Sequence, residues 1–250
     1  MSRGSRWAAW AVILGAIAWS AVETEVSLPR MIEGLPFMWD FLRRMVPPDL
    51  SVLGNALRGA METIQIAVVG TAVAALLALP MGFAAARNAA PAWLFYLARG
   101  LLNVFRAVDT LVYALFFVAA VGLGPFPGVL AVMVYTATVL AKLYSEAIEA
   151  IEPGPVEAVR AAGATTLQVL RWGVLPQLVP QFLSFTLYRF ETNIRAAAVL
   201  GFVGAGGIGF YIQTYLRLLN YPAAATVLLV LIGLVMIVDF ASSRLRARLV

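Results

Sequence analysis

The sequence contains no cysteine and no histidine. Without cysteine there is no disulfide framework, no thiol nucleophile and no thiolate metal site. Without histidine, imidazole catalysis and haem or zinc ligation by that ring are excluded. Lysine is almost missing as well: Lys142 stands alone beside 17 arginines. Charge of any sign is scarce, at 12% of the 250 residues, while apolar residues reach 62%. A soluble domain carries roughly 25% charged and 45–50% apolar residues. A water-soluble globule of this size has no interior for so much apolar surface, which excludes a cytosolic enzyme, a disordered tail and a secreted disulfide scaffold. The composition is that of a polytopic membrane protein. The formal net charge of +5 fits the cytoplasmic leaflet and the positive-inside rule, and nucleic acid is not expected as a partner.

Six apolar stretches are legible, at about Trp7–Val22, Thr63–Ala86, Leu101–Val121, Gly128–Ile148, Pro176–Val203 and Pro222–Ala241. None alternates with period 2, so membrane-spanning helices are expected rather than barrel strands. The first resembles a signal peptide, with Arg3 and Arg6 ahead of an apolar core, but five spans follow and an uncleaved helix is the expectation. With the N-terminus inside, Arg3, Arg6, Arg87, Arg99, Arg160, Arg171, Arg244, Arg246 and Arg248 are cytoplasmic, and Arg30, Arg43, Arg44, Arg58 and Arg217 are outside. That bias puts both termini in the cytoplasm. The external stretch Glu23–Arg58 holds Leu35–Arg44, where bulky apolar and charged residues mix as in a helix lying in the outer interface. It serves as an anchor for the first span or as a docking surface.

The second long polar stretch lies between spans four and five and is cytoplasmic. Pro153-Gly154-Pro155 ends the fourth helix. Pro155 suits the first turn of a new helix, whose dipole Glu157 complements. Gly163 fits a C-terminal cap. Thr165 with Gln168 three residues on forms a capping box for a second short helix, and Gly173 and Pro176 open span five. The predicted loop is helix, glycine turn, helix, and the first helix is unusually small-sided at Ala158, Ala161, Ala162 and Gly163. Small side chains let another protein's backbone come close.

These residues carry a resemblance. Glu157-Ala158-Val159, three residues, Gly163, nine residues and Gly173-Val174-Leu175-Pro176 resemble the cytoplasmic signature of importer-type ABC permeases. Val159 stands where that signature has a second alanine, and Gly173 where it has an isoleucine-like residue; the Glu, Gly and Leu-Pro spacing is kept. Ser145–Ile151, Gly173–Gln177, Tyr188–Ala197 and Val199–Gly209 together look like the permease subunit of a phosphonate ABC transporter, a branch that includes phosphite and hypophosphite importers. The match runs from about Met61 onward and is densest over Lys142–Phe210. The resemblance implies the all-α type I ABC importer permease fold, and it implies that Glu157, Ala158, Ala161, Ala162 and Gly163 form a coupling helix seated in a groove of a separate ATPase. It also implies an external substrate-binding protein and a second permease copy. No Gly-x-x-x-x-Gly-Lys-[Ser/Thr] phosphate loop occurs here, so ATP and Mg belong to the partner ATPase and this chain is no enzyme. No cofactor, catalytic residue or metal site is expected in it.

An ionisable residue inside a bilayer normally faces protein or water. Span five holds Arg189, Glu191, Asn193 and Arg195. Arg189 and Asn193 are four apart and share a face; Glu191 and Arg195 are four apart on nearly the opposite one. In the structural reading Glu191 and Arg195 neutralise one another and Arg189 pairs with a carboxylate on another span. In the functional reading Arg189 or Arg195 lines the path and meets an oxyanion, to which the guanidinium donates two parallel hydrogen bonds. The run Gly201–Gly209 either breaks the helix to line the path, with Gly204, Gly206 and Gly207 exposing N–H groups, or packs tightly against other helices. Arg106 and Asp109 are spaced to pair at the start of span three, where related permeases carry Pro-Glu after such an arginine and this sequence has Val108-Asp109. Lys142 and Glu146 form an i, i+4 pair.

The expected protein is therefore a single transmembrane domain of the inner membrane, with an external interfacial segment (23–58), a permease core (60–241) and a coupling loop (153–176). Embedded in the lipid bilayer, it would move a phosphonate or related phosphorus oxyanion by alternating access, driven by a separate ATPase dimer. The alternatives are a permease for another small solute and an ATP-independent secondary transporter. The latter would need an ion relay, for which Glu191 is the strongest mid-span acid, and repeated halves, which are not seen.

Overall fold

The computed structural model describes residues 3–246, with the side chains of Trp7, Trp10 and all residues from Val12 onward. The side chains of Arg3 and Arg6, and Arg248 altogether, lie outside the described residues. The described chain is helical throughout and divides into two compact units, Met1–Val46 and Pro47–Val250.

The first unit consists of α1 (Arg3–Glu23) and α2 (Leu28–Arg44), inclined by 50° at the break between them. Glu25 adopts a positive φ of 51° there, and Ser27 caps α2 by accepting from the Arg30 amide. Leu28, Met31, Ile32, Leu35, Met38, Trp39 and Leu42 recur at helical spacing, opposite Arg30, Glu33, Asp40 and Arg44. No residue of α2 is buried.

The second unit is built around α3 (Leu53–Ala84), which packs against α6 (Pro125–Glu149), α9 (Leu175–Leu200), α10 (Ile208–Arg217) and α11 (Tyr221–Arg246). The buried side of α3 is a stripe of small residues: Ala56, Ala60, Thr63, Ala67, Thr71, Ala74 and Ala78. Helices in lipid gain little from apolar burial against one another, so close backbone approach carries the packing. The approach is close: a Cβ on Gly70 would lie 2.7 Å from Val132, and one on Gly82 would lie 2.9 Å from Tyr144. α3 begins at Leu53 and takes up the last residues of the expected external segment, because Asn55 and Arg58 do not interrupt its turns.

Among the described residues, four helical segments are long and apolar enough to cross a membrane, and up to six if each bent pair is one span. The expected third span, Leu101–Val121, is not continuous. It divides into α4 (Ala92–Arg106) and α5 (Thr110–Val121), which are bent by 81°. The break needs no proline. Asp109 caps α5 by accepting from the Leu111 amide at 2.9 Å, and Tyr113 Oη donates to the Phe105 carbonyl at 2.7 Å. The expected Arg106–Asp109 ion pair does not form among the described residues; the carboxylate is spent on the cap. The Lys142–Glu146 pair is present at 3.4 Å.

Candidate functional site

Two groups of predicted residues occupy different parts of the second unit. The first is the hairpin of α7 (Pro153–Ala161) and α8 (Thr166–Val169), which leads through a π turn (Leu170–Val174) into α9. Gly163 closes α7 with φ of +79°, a left-handed conformation that side chains disfavour. The Thr165 amide donates to Gln168 Oε1 at 2.8 Å in the expected capping box. α7 starts at Pro153, two residues earlier than Pro155, so Glu157 falls in its second turn. Glu157, Ala158, Ala161, Ala162 and Gly163 are all exposed, and nothing lies within 4 Å of a Cβ added at Gly163.

The hairpin is apolar beyond these residues. Leu167 is 75% exposed and Trp172 64%, with the Arg171 guanidinium 5.3 Å from the centre of the Trp172 ring. Sequence reading missed both apolar residues; their signal was bulk hydrophobicity inside an otherwise polar loop. The base of the hairpin is fixed. Gln177 accepts from the Glu152 amide at 3.0 Å and donates to the Gly173 carbonyl at 2.8 Å. Gly173 lets α7 seat on the π turn, since a Cβ there would meet Val156 Cα at 3.1 Å. One step further in, Arg99 Nη2 reaches both oxygens of Glu149 at 2.9 Å, and Glu149 also accepts from the Arg87 amide at 2.6 Å.

The second group lies along α9. Asn193 is fully buried, and its side chain joins three helices. Its Nδ2 donates to Thr71 Oγ1 at 2.8 Å, and its Oδ1 accepts from Thr136 Oγ1 at 3.1 Å and from Arg189 Nη2 at 3.2 Å. Arg189 and Asn193 share a face, as their spacing predicts. The expected carboxylate partner of Arg189 is absent among the described residues. The guanidinium lies 5.4 Å from the centre of the Tyr135 ring, and its Nε is buried with no acceptor. This α9 cation is held by a neutral amide and an aromatic face.

Glu191 and Arg195 pair at 3.3 Å on the other face, but as half of a larger cluster. Arg246 meets Glu191 at 2.7 Å, and Asp239 meets Arg195 at 3.2 Å, so two acids and two arginines tie α9 to the last turns of α11. Glu191 is only 11% exposed. Arg246 is read from sequence only as a cytoplasmic anchor, and Asp239 is not singled out; an acid inside the apolar run of span six was the available signal.

The glycine run both breaks the helix and packs tightly. α9 stops at Leu200, a 3-10 turn covers Gly201–Val203, and Gly204, Gly206 and Gly207 take φ of +83°, +76° and +79°. A Cβ on Gly209 would lie 1.8 Å from the Ala198 carbonyl, and one on Gly201 2.4 Å from the Phe210 amide. Thr63 Oγ1 accepts from the Ile208 amide at 2.8 Å and so caps α10. Gly204 and Gly206 border a cavity of about 280 Å³ with Glu62, Leu123, Gly124, Phe210 and Tyr211. Arg189 is not among its lining residues.

Residues 78–250 match the family described as "Binding-protein-dependent transport system inner membrane component". A phosphite transport system permease protein of Stutzerimonas stutzeri is 45% identical over 217 residues, 86% of this chain and 79% of that one. A phosphate-import permease protein of Mycolicibacterium smegmatis is 40% identical over 221 residues, 86% of this chain and 42% of that one. Among solved structures, an inward-facing MetNI methionine ABC transporter chain aligns with a TM-score of 0.69 at 26% identity, covering 81% of this chain and 99% of that chain.

Proposed function

The chain belongs to the family of inner membrane components of binding-protein-dependent transport systems, and from that premise we propose that it is the permease of an ABC importer for a phosphorus oxyanion of the phosphonate and phosphite type. The observation that carries the substrate class is Arg189, a cation of α9 whose partners are an amide and a ring rather than a carboxylate. A guanidinium left without an acid offers its donor fork to an oxyanion. Arg195 and Glu191 are consumed by their own cluster and set the position of α11. The names of the relatives, phosphite and phosphate permeases, support the same substrate class.

The coupling surface is the exposed hairpin face of Glu157, Ala158, Ala161, Ala162 and Gly163, extended by Leu167 and Trp172. An ATPase dimer carrying ATP and Mg docks there. A second copy of the chain completes the path, an external binding protein delivers the anion, and both termini face the cytoplasm. α2 lies in the outer interface as the amphipathic anchor of α1. Gly204, Gly206 and Gly207 form the turn past which the anion moves. ATP shifts the equilibrium only if the hairpin contacts the ATPase differently in the two states.

The test has two arms. Wild type co-purifies with its ATPase in stoichiometric amount, and Gly163→Arg inserts normally but loses the ATPase. Arg189→Ala keeps the ATPase and loses uptake of phosphite and of a simple alkylphosphonate. A well-folded wild type with no ATPase overturns the importer reading. Wild-type uptake by Arg189→Ala overturns the path assignment alone.

A further inference from the structure

α4 has a face that the transport reading does not use. Arg99, Asn103 and Arg106 recur at i, i+4 and i+7 on one side, and Leu94, Leu97, Leu101 and Phe105 on another. That is a basic amphipathic helix, the pattern of a segment lying at a membrane surface. Its 81° bend to α5 agrees, because α5 alone reaches only about 18 Å along its axis and α4 does not continue its line. Trp93 and Tyr96 near its start are exposed, as aromatic residues of the headgroup region are.

Between α4 and the end of α3 lies a slot of about 230 Å³, bordered by Met81 and Ala84 on α3 and by the apolar face of α4. No polar atom lines it. Water finds no partners in such a slot, whereas a hydrocarbon chain fits it. The two helices that border the slot each end close to a cation along the chain. Arg87 follows the end of α3 and Arg106 ends α4, and neither side chain makes an ion pair among the described residues. The acids nearby are occupied: Glu149 holds Arg99, and Asp109 caps α5.

We propose that this elbow is a binding site for an anionic phospholipid, with one acyl chain in the slot and the headgroup held by Arg87 and Arg106. The leaflet, the inner one, rests on the orientation proposed above; the lipid contact does not. Basic side chains at a membrane surface favour anionic lipid by about fivefold each.

The chain has no cysteine, so Leu101→Cys gives a single labelling site beside the slot, and Phe116→Cys on α5 gives an exposed control. Each labelled full-length chain is placed in phosphatidylcholine vesicles doped with nitroxide-acyl phosphatidylglycerol or nitroxide-acyl phosphatidylcholine. At position 101 the glycerol lipid quenches at about fivefold lower mole fraction or less, and Arg87→Gln with Arg106→Gln abolishes the preference while leaving quenching by phosphatidylcholine. At position 116 the two lipids quench alike. Equal quenching by both lipids at 101 in the wild-type background overturns the headgroup site. No quenching by either means that a protein neighbour fills the slot, and overturns the proposal as a whole. Neither readout depends on the ATPase or on uptake.

Discussion

Replacing Asn193 by aspartate tests the role of Arg189 with the change of one side-chain atom. The Oδ1 position lies 3.2 Å from Arg189 Nη2 and 3.1 Å from Thr136 Oγ1. In the variant both donors keep an acceptor, and the Thr71 hydroxyl, 2.8 Å from the other terminal atom, rotates from acceptor to donor. No hydrogen bond need be lost. The Arg189 contact, already charge-assisted from the donor side, becomes an ion pair with charge on both partners. Burial of the new carboxylate offsets much of that gain, so thermal stability moves little, within about 3 °C. Transport responds differently, because an incoming oxyanion must now displace an internal one. A competition of about 1.4 kcal/mol is a tenfold loss of apparent affinity. The expected result in cells or proteoliposomes is uptake reduced by about tenfold or more, with normal insertion and normal ATPase binding. Asn193→Leu is the contrasting variant: it strands Thr71, Thr136 and Arg189 together and should lower the melting temperature clearly. Wild-type uptake by Asn193→Asp, with normal insertion, would refute the reasoning that the unpaired guanidinium meets the substrate.

Other outcomes follow from the same geometry. Gly209→Ala places a Cβ 1.8 Å from the Ala198 carbonyl, so the variant should fail to give a monodisperse peak on size-exclusion chromatography. Gly15→Ala, with nothing within 4 Å of the added carbon, should elute as wild type. Glu191→Gln leaves Arg195 and Arg246 facing one another across a poorly exposed position, at a cost of about 3 kcal/mol. Asp239→Asn weakens a half-exposed pair and should cost under about 1 kcal/mol, the two being ranked by thermal melting. The Asp49 carboxyl is held below its ordinary range by the Ser51 side chain and amide. Its capping contribution is therefore present at neutral pH and lost as pH falls through that lowered value, and the protection of the Ser51 amide relative to its intrinsic exchange rate should fall only in acid.

The helices were readable because each long apolar run has the length that lipid demands, and the hairpin of α7 and α8 because proline, glycine and a capping box punctuate it locally. Pro153, Gly163, Thr165 and Gln168 act within a few residues of themselves. What was not readable depends on partners far along the chain. Asp239 and Arg246 meet Arg195 and Glu191 across 44 and 55 residues, and no local pattern announces the pairing. The break before α5 was hidden because it carries no proline, and a single capping aspartate does that work inside an apolar run. Arg189 was expected to find an acid on another span. It found Asn193 on its own helix, and the hub of threonines around that amide is legible only once α3 and α6 are in place.

The π turn at Leu170–Val174 and the glycine turn beginning at Gly201 bound α9 at its two ends. Between them α9 runs for 26 residues, with Pro180 inside it near its start, about 39 Å along its axis. A rod with a compliant joint at each end behaves as a lever. A sideways displacement of about 4 Å at the hairpin end turns it by about 6° over that length. Neither joint need unfold, since one already lacks regular α-helical bonding and the other is a 3-10 turn followed by Gly204, Gly206 and Gly207 at positive φ. Arg189 and Asn193 sit partway along the arm, so they travel less than the hairpin does. Stiffening either joint, rather than altering any group along the arm, is the mechanical way to decouple its two ends.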